Sequence, residues 1–159
     1  MMAGGMSTSG TEELMAMLNK LGDQAPGIAA QALYEGAGVM ADAYKAAVAS
    51  IVTTSSRKHD ERGGRLPTKE EKAMLMGSTG IARFNKDVDS VDTLIGAAEG
   101  YGTLKGKRKA YKLLARSINS GTKFMKKQPV FRRAFSSSKA AAQDALTAKA
   151  EELINAIAK

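Results

Sequence analysis

The chain contains no cysteine and a single histidine. The first absence removes disulfides, thiolate nucleophiles and Cys-ligated zinc together, and leaves the redox compartment undetermined, with an intracellular origin as the default. His59 has no second imidazole or carboxylate pattern around it that builds a metal site, so it is expected to be a solvated loop residue. No window approaches about 18 uninterrupted apolar residues. The opening MMAGGMSTSG has neither a basic n-region nor an apolar h-region, which predicts a soluble, unexported chain with no membrane partner. Catalytic motifs are missing too: there is no GxSxG, no HExxH and no GxxxxGKS/T, and GTLKGK lacks the spacing and strand-to-helix setting of a phosphate loop. The pairs Glu12–Glu13, Glu70–Glu71 and Glu151–Glu152 are adjacent in sequence on predicted surface helices, where solubility and the helix dipole account for them. No enzyme, cofactor or metal site is expected.

What the chain has in excess is positive charge in one place. Of 24 Lys and Arg, twelve lie between Gly100 and Gln143, a span with no Asp or Glu at all. The other twelve bases face all sixteen acids, so the rest of the chain nets −4. Either this is a solvated face, or it produces a field that an acidic partner or a neighbouring copy's acidic face can feel. The candidate contact residues are Lys105, Lys107, Arg108, Lys109, Lys123, Lys126 and Lys127.

At 159 residues the chain fits one domain, long enough to bury roughly two thirds of its unfolded surface. Residues 1–10 are small and flexible in composition and predict a mobile tail, leaving 11–159 as the single domain. Ser9 or Thr11 caps a short first helix that Gly22 stops. Asp23 and Pro26 then start a long one, whose apolar residues Ile28, Ala32, Leu33, Met40, Tyr44, Val48 and Ile51 keep helical spacing. Gly36 and Gly38 interrupt it with a thin-walled face, suited either to helix-to-sheet packing inside the domain or to an intersubunit contact. Residues 53–67 read as an exposed loop. Thr68 and Glu71 stand at capping-box spacing before a short helix ended by GSTG. Alternation of Ile81 with Arg83, and of Val91, Thr93 and Ile95, predicts a small antiparallel sheet with NKDVDS as the hairpin connection.

EGYGTLKGKRK reads as a flexible basic loop. In AYKLLARSINSG, Tyr111, Leu114 and Ile118 suit a helix closed by Gly121, although its brevity also allows a strand. Pro129 fits the first turn of a long terminal helix, with Phe131 and Phe135 on one face as anchors against the sheet, Arg132 and Arg133 pointing elsewhere, and SSSK as a bend or interruption. The fold class expected is α+β: a small antiparallel sheet packed with two long helices and short ones.

Two functions fit these features. LKGKRKAYK and KFMKK together supply a phosphate-neutralising face, as a basic nucleic-acid-binding accessory protein needs; Tyr101, Tyr111 and Phe124 are too few and irregular for a base-stacking platform. The other reading comes from order and motif. The succession of an Ala-rich helix, TKEEKAMLMGSTGIARF, VDTLIG, LLARSINSGTKFMKKQPVFRRAF and an Ala/Lys/Glu-rich helix resembles the tailed-phage neck family typified by gene product ten of a lambdoid coliphage, over roughly residues 11 to 158. Ala115, Arg116, Ser120, Gly121, Thr122, Gln128, Pro129 and Ala134 match its most specific block. Asn119 stands where the family carries Glu, and the aromatic of Val130–Phe131 comes one residue later than usual. GGRL is similar to the family's Thr-Gly-Arg-Leu element. The resemblance implies a structural virion protein for tail completion, a connector subunit in a homo-oligomeric ring, sixfold to match tail symmetry. Its implied neighbours are a head-closure or connector protein and a tail-terminator or tail-tube protein, with the DNA backbone in the lumen. The implied location is the neck of the virion, reached from the host cytoplasm during assembly. It also implies that the GTKFMKKQP loop projects from the subunit to meet its neighbour or the DNA.

Overall fold

The computed structural model describes residues 9–55, 64–82, 85–86, 91–92, 95–98 and 100–158. Four helices, α1 (Ser9–Ser50), α2 (Lys69–Ser78), α3 (Tyr111–Ser120) and α4 (Val130–Ile157), carry the fold. Between α2 and α3 lie β1 (Thr79–Ile81), β2 (Asn85–Lys86), β3 (Val91–Asp92), β4 (Ile95–Ala97), β5 (Tyr101–Leu104) and β6 (Lys107–Ala110). The class is α+β, as expected. The strands form three separate antiparallel ladders, β1 with β4, β2 with β3 and β5 with β6. The expected β1–β4 pairing aligns Ile81 with Ile95. Inside it, Asn85 pairs with Asp92 and Lys86 with Val91, so the first two residues of NKDVDS belong to a strand; residues 87–90, like Arg83, Thr93, His59 and the tail 1–8, lie outside the described residues.

The first helix does not stop at Gly22. It runs 42 residues with Pro26 inside it, about 63 Å at the α-helical rise. Local propensity loses here to a continuous apolar stripe. Leu21, Ala25, Ile28, Ala29, Ala32 and Leu33 all face Leu146, Ala150 and Ile154 of α4, so the chain on both sides of Pro26 gains from staying on one helical axis. The stop comes instead at Ser50, where Lys72 Nζ donates to the carbonyls of Ala49 at 2.6 Å and Ile51 at 3.1 Å, a cation meeting the negative end of the helix.

Helices α1 and α4 pack antiparallel along most of the length of α4. A Cβ on Gly36 would stand 2.9 Å from the Ala142 carbonyl oxygen, so the thin-walled face serves packing inside the domain, against a helix rather than a sheet. SSSK does not interrupt α4, which is continuous through it; the Ser137 and Ser138 hydroxyls donate back to the carbonyls of Ala134 and Phe135 and so need no partner outside the helix.

The core gathers where α1 ends. Tyr44, Val48 and Ile51 meet Leu75 of α2, Leu114 and Ile118 of α3, Met125 and Phe131. Phe131 is buried and Phe135 half-buried; both ring-pack on Tyr44, at 4.5 Å and 5.7 Å between centroids. The terminal helix is therefore anchored on α1, not on the sheet. The strands are too short to offer a broad apolar face, whereas α1 passes beside the start of α4.

Candidate functional site

The segment expected to be a flexible basic loop is a hairpin. Leu104 pairs with Lys107 and Tyr101 with Ala110, and Lys105 and Gly106 both take positive φ, 47° and 75°, as a two-residue type I′ turn requires. Lys and Gly are poor strand formers and the span does not alternate apolar with polar, so neither usual strand signal was present. The hairpin tip leaves Lys105, Lys107 and Arg108 exposed, and Lys109 half-buried.

The second basic segment is knitted to the body rather than projecting from it. Gly121 closes α3 at φ 75°. Thr122 and Met125 exchange backbone hydrogen bonds, the Arg65 amide donates to the Phe124 carbonyl at 3.0 Å, and the Lys126 amide donates to the Arg65 carbonyl at 2.9 Å. Gly64 makes this seam possible: its φ is +83° and a Cβ there would fall 2.4 Å from the Met125 amide nitrogen. Gln128 fastens the far end. Its Oε1 accepts from the Val52 amide at 2.9 Å and its Nε2 donates to the Val52 carbonyl at 3.0 Å. Pro129 is the residue before α4 rather than in its first turn, and Asn119 Oδ1 accepts from the Arg132 amide at 3.4 Å, covering one of the open donors of that helix end. The residues of the specific block thus act together as a joint between α3 and α4. Within it Lys123 and Lys127 are exposed and Lys126 is half-buried.

Hairpin and joint form opposite walls of one open groove of about 630 Å³. Buried Leu114 and Met125 give it an apolar floor, Arg65, Ser117 and Thr122 add polar lining, and exposed Leu113, Arg108 and Phe124 border it. Arg108 lies over the Tyr101 ring at 4.8 Å from its centroid, and Lys123 Nζ is 6.0 Å from that of Phe124. Of the sequence candidates, the groove brings together Arg108 and Lys109 and draws Lys123 to its edge; Lys105 and Lys107 stay at the hairpin tip, Lys126 and Lys127 further along the joint.

Beneath the groove lies a residue that sequence reading placed wrongly. Glu71 is fully buried, not a surface carboxylate like its exposed neighbour Glu70. Arg65 Nη1 and Nη2 each donate to it at 2.7 Å, Lys109 Nζ donates to Oε1, and the Thr68 amide donates to Oε2 at 2.9 Å. The Thr68 side chain accepts from the Glu71 amide, completing the expected capping box. Burial by itself pushes the carboxyl up, but the Arg65, Lys109 and Thr68 hydrogen bonds outweigh it and hold the group down at about 2. The capping-box spacing was the one signal available for Glu71. Lys109, a candidate for contacting a partner, is thereby tied to the protein itself: it joins the hairpin to α2. Among the described residues no helix is long and apolar enough to cross a membrane.

Fold and groove together define an α+β protein built on an antiparallel helical pair, with a cationic, apolar-floored groove at its base. No protein-family model, no curated protein and no solved structure matches the chain.

Proposed function

We propose that this protein is a structural virion subunit of the phage head-tail interface, a tail-completion or connector protein that joins the finished tail to the DNA-filled head as a member of a ring. The observation that carries the reading is the groove itself: two basic segments, one on each side of α3 in the chain, border one apolar floor. Such a surface suits a macromolecular contact, in which charge steers and fixes register while apolar area holds. Glu71, buried beside the groove, receives four hydrogen bonds from Arg65, Lys109 and Thr68 and so serves to hold the hairpin to the body. In this reading the ring sits at the neck of the virion and meets a head-closure or connector protein on one side and a tail-terminator or tail-tube protein on the other.

The test is assembly without the chain. Particles made in its absence are expected to separate into filled heads and free tails by electron microscopy, and purified chain added back is expected to restore joined particles. Joined particles formed at the normal yield without it would refute the reading. Cross-linking and mass measurement on complete particles are expected to find several copies per particle, and a single copy would remove the ring.

A second reading, a basic nucleic-acid-binding accessory protein, gains one observation that sequence spacing did not offer. Tyr101 and Phe124, 23 positions apart in the chain, border the same groove with a cation over each ring, an arrangement on which bases can stack. Salt-dependent binding of single-stranded oligonucleotides, lost in Tyr101→Ala and Phe124→Ala together, is what that reading requires.

A further inference from the structure

Two groups stand out among the large exposed apolar side chains. One cluster is the start of α1, where Leu14, Met15 and Leu18 are 55%, 64% and 57% exposed. Leu21 already faces Ile154 near the end of α4, and residues 14–20 before it are all exposed. The other cluster borders the groove, where Tyr101, Leu113 and Phe124 are 60%, 63% and 61% exposed. Single exposed apolar residues are ordinary, but grouped ones mark contact surfaces.

The two places carry opposite charge. Residues 9–35 hold four acids and one base, and residues 144–157 three acids and one base, so the helical arm formed by the start of α1 and the end of α4 is acidic. The groove end lies in the span that holds twelve bases and no acid. A single copy cannot bring the two together. Leu18 and Tyr44, whose ring belongs to the core beside the groove, are 26 residues apart on one unbroken helix, about 39 Å at 1.5 Å per residue.

We infer that the acidic, apolar start of α1 of one copy docks into the basic, apolar-floored groove of the next, head to tail. Leu14, Met17 and Leu18, all exposed, follow the i, i+3, i+4 spacing of a helix laid in a groove, and the groove supplies an apolar floor with cations at its edge. The two surfaces differ, so the contact is heterologous: each copy offers one arm and one groove, and a repeated rotation closes a ring. This inference rests on the assembly reading for its purpose, but its surfaces stand on exposure and charge alone.

Absence of native cysteine makes the contact directly testable in the full-length chain. Leu18→Cys and Leu113→Cys in one chain, mildly oxidised at low salt, are expected to give a ladder of disulfide-linked oligomers on a non-reducing gel. Each single variant is expected to stop at dimer. The pair Leu18→Cys and Val52→Cys, whose second site is equally exposed but off the groove, serves as control. The expected excess over that control is on the order of tenfold, shrinking in high salt as exposed charges are screened. A ladder no stronger than the control overturns the docking. So does an oligonucleotide that binds the groove, with affinity lost in Arg108→Glu, while no ladder forms; that result assigns the groove to nucleic acid. The readout uses purified chain, so its failure is separate from failure of the assembly role. A clean ladder from a chain that particles do not need keeps the docking and removes the role.

Discussion

Tyr44 and Phe131 stack with ring centroids 4.5 Å apart and planes 12° from parallel, a contact that seats the first turn of α4 on α1. Phe131→Ala removes a buried ring from the centre of the core, so unfolding stability is expected to fall by about 3–5 kcal/mol. Phe135→Ala, half-buried and tilted on the same tyrosine, should cost less. Chemical denaturation of both variants checks the order; a Phe131→Ala protein as stable as the parent would take that residue out of the core.

Glu71 makes stability depend on acid. Its folded value of about 2 lies below the ordinary 4.5, so the unfolded chain takes up the proton first. The stabilisation is fully present above about 4.5 and is lost as pH falls toward about 2, an amount on the order of 3 kcal/mol. Glu71→Gln should lower stability at neutral pH, because Arg65 and Lys109 lose their anion, and should flatten the acid limb of the stability profile. Circular dichroism at several pH values measures both, and an unchanged acid limb would mean that another group governs it.

Gly36 and Gly38 should respond to alanine in opposite senses. A Cβ at Gly36 meets the Ala142 carbonyl oxygen at 2.9 Å and Leu146 Cβ at 3.2 Å, whereas at Gly38 nothing lies within 4 Å. Gly36→Ala must push α4 away, with a cost of about 1–3 kcal/mol that outweighs the better helix propensity. Gly38→Ala keeps that propensity gain, up to about 1 kcal/mol. Thermal melts of the two single variants decide it; matching shifts would contradict the close helix approach.

Legibility in the sequence followed the range of the interactions. The capping box at Thr68 and Glu71, the α3 stop at Gly121 and the Phe131–Phe135 pair of α4 were readable, since each rests on residues a few positions apart. What failed was decided at long range. Gly22 and Pro26 signal a break locally, and α4 overrides them from more than a hundred residues away. The LKGK hairpin depends on positive φ at Lys105 and on the body beneath it. Burial of Glu71 depends on Arg65 and Lys109, which only the fold brings to it. The candidate site was legible as charge and not as shape: the basic residues were found, but Tyr101, Leu113 and Phe124 became one surface only once the hairpin and the joint faced each other.

The central claim, that the basic groove end joins tail to head, is tested most directly by reversing charge there without disturbing the core. Lys107, Arg108 and Lys123 are exposed, so changing each to Glu should alter folding stability little. With the triple variant as the sole source of the chain, electron microscopy is expected to find filled heads and finished tails accumulating apart, while circular dichroism shows the variant folded like the parent. Joined, infectious particles at the parental yield from that same folded variant would contradict the account.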